Sequence, residues 1–427
     1  MIKKGIMKKN FFLLFFLLGA LIIIRQHRSL AVTIEFSRSP EPQQAVFSLL
    51  DKILEEDQIL NTLPLKVGDT EISYTEERIS RDSNGKIRRS ILKRKDYEKE
   101  IALKLLNTST GQTEIIKIIK KGKRLINPAG YLVEVVTRPS GITWNAWNTS
   151  YKVVEPANRV VIKNSYPAIK SLKKVTQTVT AKNGAKKKIT KTVPNLVENI
   201  VYVPYSDDLK TLEIITKGQS DLRQIIQSAR ELLNQSSVYS KAVPEKLVTE
   251  VLPAEYYLRR PIIEQSDLGE FIIDPEGMVD RFLVILGTNG KRAWSETCNK
   301  SGACGLYQFT DNGIFGTYRT VVKKYPPAQL IKDFQTGASD HVNSAMAAML
   351  LDDLNLAELV KKYGNKILND PKLEEYLAAS YNGAPRWVHK SLNATLGKSV
   401  AEWGRHLRSE TKGFMTKLRY LINHDLP

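Results

Sequence analysis

The chain has few of the residues that hold metals or build cross-linked scaffolds. Its 427 residues include two cysteines and five histidines. No HExxH or CxxC spacing occurs, so neither a metal centre nor a disulfide framework is expected, and the reading needs no cofactor. Acids are also scarce, 45 Asp and Glu against 64 Lys and Arg, for a formal charge of +19. Such an excess favours solubility and attraction to anionic partners. Long apolar runs are missing too. Phe11–Ile24 runs fourteen residues without a charge, short for a bilayer span and typical of the core of an export signal. Repeats and low-complexity tracts are absent.

What is present begins with Lys3, Lys4, Lys8 and Lys9 ahead of that apolar run. Ser29-Leu30-Ala31 offers a cleavage site, although Arg25, His27 and Arg28 precede it. Residues 1–33 therefore read as a signal peptide or as an uncleaved anchor with its lysines held inside. Both readings put the body of the protein outside the cytoplasm, secreted or anchored to the cell membrane. The polyanions found there are wall polymers and lipid headgroups, so nucleic acid is not an expected partner. Export also favours a bridge between Cys298 and Cys304, spaced C-x5-C, over two buried thiols.

The length and a 26% charged content indicate a globular chain of more than one domain. Residues 34–64 form an amphipathic helical segment, read as one helix over Glu41–Asn61 from the spacing of Val46, Leu49, Leu50, Ile53 and Leu54. Residues 65–205 are β-rich. Asn84-Gly85 and Asn183-Gly184 each separate two strand-like runs and predict two-residue hairpin turns. The second hairpin carries eight lysines from Lys170 to Lys191 and no acid. These either protect an edge strand or touch anionic wall polymers or a membrane surface.

Residues 206–250 read as a helical connector, with Leu222, Ile225, Ile226, Ala229 and Leu232 on one face of a helix over Asp221–Leu233. Residues 251–427 read as all-helical. Asp274-Pro275 starts one helix, which Gly287 and Gly290 end; Asp370-Pro371 starts another. Ser399 with Glu402 is a capping box for the last. The fold class is α+β multidomain: a hydrophobic N-terminal signal or anchor, a β-rich middle and an all-helical C-terminal domain.

Two short elements lie within the helical part. The first is Gly302-Ala303-Cys304-Gly305-Leu306-Tyr307-Gln308-Phe309. The second is Ala378-Ala379-Ser380-Tyr381-Asn382-Gly383-Ala384-Pro385. In this order they resemble the sugar-cleft motifs of the soluble lytic transglycosylases, lysozyme-like enzymes that cut bacterial peptidoglycan. The resemblance implies a lysozyme-like fold for 251–427 and glycan strands of peptidoglycan as the partner. It further implies cleavage between MurNAc and GlcNAc to a 1,6-anhydro product by one glutamate serving as acid and then base. Gln308 would bind the glycan, Tyr381 would sit against the catalytic carboxylate, and Asn382 would hold backbone or sugar. Tyr307, Phe309, Trp294 and Trp387 are candidate stacking faces for sugar rings. The plainer alternatives are a helix-capping Gln308 and a core Tyr381 with its hydroxyl satisfied.

The family places its glutamate, followed by serine, at the end of a hydrophobic helix about a dozen residues before the Gly-Ala turn. The helix ending Leu286-Gly287-Thr288-Asn289 has no acid there. Glu296, beside Trp294 and six residues before Gly302, is the first candidate. Glu264, in Pro261-Ile262-Ile263-Glu264-Gln265-Ser266, is the alternative and requires the intervening helix to fold back beside it. Such an acid must be neutral when substrate binds, which calls for an apolar pocket. Other readings are a lysozyme-type hydrolase with Asp311 as second carboxylate, a glycan-binding pseudoenzyme that has lost the acid at Thr288–Asn289, and a structural envelope protein.

Overall fold

In the computed structural model the described residues are 47–180, 186–299, 301–311, 316–395 and 400–426. The N-terminal export segment, Asn183-Gly184 and Ser399 lie outside them. Among the described residues no helix is long and apolar enough to cross a membrane. The architecture is mixed: a β-rich middle followed by a helical C-terminal region, and residues 45–427 cluster as one unit.

Two short helices come first, α1 (Leu49–Leu54) and α2 (Gln58–Thr62). The single helix expected over this segment is broken, because Asp57 leaves the helical conformation and its carboxylate caps the amide of Leu60. The strands follow: β1 (Val67–Arg81), β2 (Ile87–Asn107), β3 (Thr113–Lys121), β4 (Arg124–Ile126), β5 (Leu132–Val135), β6 (Tyr151–Glu155), β7 (Arg159–Thr180) and β8 (Lys186–Tyr202). An antiparallel sheet runs β4-β3-β2-β7-β8, with β1 also paired to β2; β5 and β6 form a separate pair. The expected Asn84-Gly85 turn is there but longer than two residues. Arg81 pairs with Ile87, Asp82 accepts from the amides of Asn84 and Lys86, and Gly85 takes the positive φ of 77°. The aspartate competes for the turn amides and lengthens the loop.

The second half of β2 is buried on both faces, which explains its nearly unbroken apolar run. Ile101, Leu103 and Leu105 pack with Ile116, Ile118, Trp144 and Tyr151 on one side. On the other, Leu106 joins Ile53, Val160, Ile162, Ile214 and Val284, so the sheet's back face rests on the helical region. Beyond this core β7 and β8 continue as a two-stranded ribbon paired from Leu172 through Thr180. Its lysines 173, 174, 186, 187 and 188 are exposed.

The helical region comprises α3 (Leu212–Gln235), α4 (Glu255–Gln265), α5 (Leu268–Ile273), α6 (Pro275–Asn289), α7 (Thr317–Lys324), α8 (Phe334–Ser339), α9 (His341–Tyr363), α10 (Leu373–Gly383), α11 (Pro385–Thr395) and α12 (Ser409–Asn423). Helix α3 begins at Leu212, nine residues before the expected start, and Leu233 rather than Leu232 completes its buried face. Asp274 caps α6 through the amide of Gly277, as its sequence predicts. Gly287 does not end α6; the helix runs on to Asn289. A Cβ at Gly287 would lie 2.6 Å from the carbonyl of Ile214, and one at Gly218 2.0 Å from that of Leu283. These two glycines let α3 and α6 touch backbone to backbone. A short 3-10 helix, Val400–His406, follows the expected cap, and the last α-helix opens at Ser409.

Candidate functional site

Helix α4 carries the site. Its sequence Glu-Tyr-Tyr-Leu-Arg-Arg-Pro-Ile-Ile-Glu-Gln buries Tyr257, Arg260, Pro261, Ile262 and Ile263, and it ends where Ser266 turns extended. Two ion pairs lock it in place. Arg260 is buried and meets Asp352 of α9 through both guanidinium nitrogens at 3.3 and 3.1 Å. Arg259 meets both oxygens of Glu374 of α10 at 3.0 and 2.9 Å. Breaking such a buried pair strands a charge in a poor solvent, so the register of α4 against α9 and α10 is fixed.

Glu264 stands in the last turn of α4, on the wall of a cavity of about 670 Å³. Gln308, Tyr381 and Asn382 line the same cavity, together with Phe309, Glu410 and Lys417. Among the described residues no hydrogen bond and no ion pair engages the Glu264 carboxylate. Burial pushes its pKa up to about 7, against the pull of Lys417 and Arg260; Glu410 adds to the rise. The Lys417 ammonium donates to the carbonyls of Ile263 and Ser266, on either side of Glu264. It thereby caps the exposed carbonyls at the helix end. Its own pKa is lowered to about 8 by burial, opposed by Glu264.

The first sequence element reaches Glu264 through backbone contacts. Gln265, next to the glutamate, donates to the carbonyls of Gly305 and Leu306 at 2.9 and 3.0 Å. Tyr307 is core, not cavity: it is fully buried and its hydroxyl donates to the carbonyl of Tyr257. Gln308 lies in a turn at φ 50°, not in a helix, and a non-glycine residue in that region is unusual. Its amide nitrogen donates to the Gly305 carbonyl at 2.8 Å, and its oxygen faces Asn299 at 3.4 Å. The Cys298–Cys304 disulfide is formed, and it closes this loop on itself.

The second element comes from the end of α10. The Tyr381 hydroxyl donates to the Tyr307 carbonyl at 2.7 Å, tying the two motifs together. Its ring lies 4.5 Å under the Arg260 guanidinium, and its pKa is raised well above the usual value by burial and then by Glu264. Asn382 accepts from the Thr411 hydroxyl at the start of α12.

Glu296, the first candidate from sequence, is placed elsewhere. It is 41% exposed, pairs with Lys170 of β7 at 2.9 Å, and lines a neighbouring cavity rather than the one holding Tyr381 and Asn382. Thr288 and Asn289, at the position without an acid, have a structural task. Asn289 exchanges two hydrogen bonds with the backbone of Val203 after β8, and Thr288 bonds back into its own helix. Asp311 is taken by Arg319 at 2.7 Å and does not line the cavity. Trp294 is stacked on Phe282; Trp387 lies outside the cavity wall, beside Arg386, Lys390 and Arg408.

The sequence reading missed Lys417 and Glu410. Lys417 lies 154 residues from the carbonyl of Ile263 that it caps, and nothing in its own segment announces that contact. No group of His, Cys, Asp and Glu among the described residues is arranged to hold a metal ion. No family model, no curated protein and no solved structure matches this chain.

Proposed function

We propose that the protein is an exported lytic transglycosylase of peptidoglycan, with Glu264 as its acid and base. One observation carries the reading: a carboxyl held near neutrality by burial shares a cavity with Gln308, Tyr381 and Asn382, the residues of the two cleft-like motifs. A carboxyl with a raised pKa is protonated when a neutral glycan enters and can protonate the oxygen between MurNAc and GlcNAc. As that bond breaks, C1 gains positive character, and the carboxylate left behind is stabilised by the Lys417 ammonium. Glu264 then takes the proton from the C6 hydroxyl as its oxygen bonds to C1. The ends formed are a 1,6-anhydro ring and a free sugar hydroxyl, with no water consumed.

Gln308 would position the sugar through the turn that its own side chain braces. Tyr381, whose proton is committed to Tyr307, would support the carboxylate and exclude water rather than transfer a proton. Thr288 and Asn289 are engaged by their own helix and by Val203, and an acid reaches the cavity wall from α4 instead, which supports the catalytic reading over the pseudoenzyme one. A hydrolase remains a specific second reading because Glu410 puts another carboxylate on the cavity wall. Digestion of purified peptidoglycan followed by mass spectrometry decides between them. Anhydro ends, lighter by one water than hydrolysis products, support the lyase; hydrated ends assign Glu410 the task of activating water. Intact strands after prolonged incubation would overturn both.

A further inference from the structure

The loop between β5 and β6 brings the β-rich part to the cleft. Its Gly141, at φ 77°, sits so close to β1 that a Cβ would lie 2.5 Å from the Glu77 carbonyl. The turn is pinned there by the hydrogen bond from Ile79 to Ser140, and it presents Arg138. Arg138 donates twice to one oxygen of Glu270 in α5, at 3.2 and 2.6 Å. Arg281 of α6 approaches the same oxygen at 3.8 Å. Two guanidinium groups thus share one carboxylate oxygen, and a terminal nitrogen of Arg281 and the other oxygen of Glu270 are both buried without a hydrogen-bond partner. Burial, and then the charge of Arg138, lower the Arg281 pKa to about 10, against the pull of Glu270.

Arg138 and Arg281 line a cavity of about 340 Å³ whose wall also includes Trp147, Trp294 and Asn148. Asn299 and Gln308 belong both to this wall and to that of the Glu264 cavity. The two cavities therefore adjoin at these two residues. The acid on this wall, Glu296, is already paired with Lys170. On the farther side of the arginines Asp207 accepts from Tyr205 and Asp274 caps α6, so the Glu296 side offers an anion the better reception. Planar guanidinium groups match carboxylates through paired hydrogen bonds, and aromatic planes with amides suit sugar and peptide groups.

We infer that Arg138 and Arg281 form an anion subsite that holds a carboxylate carried by the wall glycan, and that the β-rich part supplies the second wall of the substrate groove. This rests on the reading of the Glu264 cavity as a peptidoglycan site. The carboxylate has two sources, the lactyl group of the muramic unit or the peptide attached to it.

The test is calorimetric binding to the full chain carrying Glu264→Gln, so that ligand is not consumed. The three ligands are soluble glycan with its peptides, the same glycan stripped of peptides, and a chitin oligosaccharide that has no carboxylate. Arg281→Gln is expected to weaken the first by about tenfold or more and to leave the third unchanged. Loss confined to peptide-bearing glycan assigns the peptide carboxylate; loss on stripped glycan as well assigns the lactyl group. Equal change across all three ligands, no change, or no binding of any ligand before Arg281 is altered would overturn the subsite.

Should Arg281→Gln not fold, Glu270→Gln carries the test. It removes the internal competitor, so carboxylate-bearing glycan should bind more tightly; equal or weaker binding overturns the proposal. Cleavage by the unaltered chain is followed separately. Selective binding without cleavage sinks only the Glu264 reading, and cleavage without charge discrimination sinks only the subsite.

Discussion

The β-rich and helical parts treat a partly buried carboxylate in opposite ways. In the sheet, Asp96 is withdrawn from water but receives both Lys99 and Lys120. Burial is the largest influence and raises its pKa, yet the two lysines together outweigh it and the net shift is downward. In the helical part, burial again dominates at Glu264, and the nearest ammonium, Lys417, is spent on backbone carbonyls. The net shift is upward. Burial raises both carboxyls; the net shift is downward where a cation's hydrogens reach the carboxylate and upward where they do not.

The largest expected effect breaks the helical side of that comparison. Glu264→Gln keeps shape and hydrogen bonding but cannot deliver a proton, so cleavage of purified peptidoglycan should fall by roughly 10²–10⁴-fold. Glu296→Gln should leave the rate near that of the unaltered chain, because its carboxylate serves only an exposed pair with Lys170. A large loss from Glu296→Gln with little from Glu264→Gln would reverse the assignment.

Breaking the sheet side should cost stability rather than activity. Asp96→Asn leaves Lys99 and Lys120 buried without their anion, at a cost on the order of 3–5 kcal/mol, read as a lowered denaturant midpoint. A midpoint within error of the parent would show that the lysines find water instead.

The two carboxylates should also respond oppositely to pH. Glu264 has its pKa raised in the fold, so the native state holds a proton that the unfolded chain has already lost. That contribution is complete below the ordinary glutamate range and disappears as pH rises through about 7. Asp96 is lowered, so its contribution is present above the ordinary aspartate range and is lost as pH falls through its depressed value. Glu264→Gln should accordingly raise the melting temperature at pH 8 more than at pH 4.5. Cleavage by the unaltered chain should decline as pH rises through about 7. A flat profile from pH 5 to 9 would argue that Glu264 does not donate the proton.

The smallest expected effect concerns the ribbon. Shortening β7 and β8 to remove lysines 173, 174, 186, 187 and 188 should reduce retention on insoluble wall at low salt. The difference should fade at physiological ionic strength, where charges are screened over about 8 Å. Equal retention at low salt would leave the lysines as protection for an exposed strand pair.

Local signals announced most of the elements and one part of the candidate site. Asp274-Pro275 announced α6 because a cap and a proline act within one turn, and the alternation in β1 to β3 announced strands because one face of each meets a core. The motifs around Gln308 and Tyr381 were visible as strings, and the structure joins them through the Tyr381 hydroxyl and the Tyr307 carbonyl. The choice between Glu296 and Glu264 was not legible. Proximity in sequence favoured Glu296, while the return of α5 and α6 beside α4 is a tertiary fact. Asp57 and Asp82 show the other limit: by accepting backbone N–H groups, one from Leu60 and two from Asn84 and Lys86, short acids break a helix that periodicity continues and lengthen a turn that Asn-Gly sets at two residues.

The cap supplied by Lys417 has a consequence for the order in which the molecule becomes competent. Glu264 and the ammonium beside it belong to the opening and closing helices of the region that begins with α4, and α12 docks on α4, α5 and α10. Until then the end of α4 has bare carbonyls, the cavity lacks the wall formed by Glu410, Phe414 and Lys417, and the carboxyl faces water, where it ionises as an ordinary glutamate. A partly folded chain carries the glutamate without its raised pKa. The raised pKa of Glu264 is therefore a property of the finished fold.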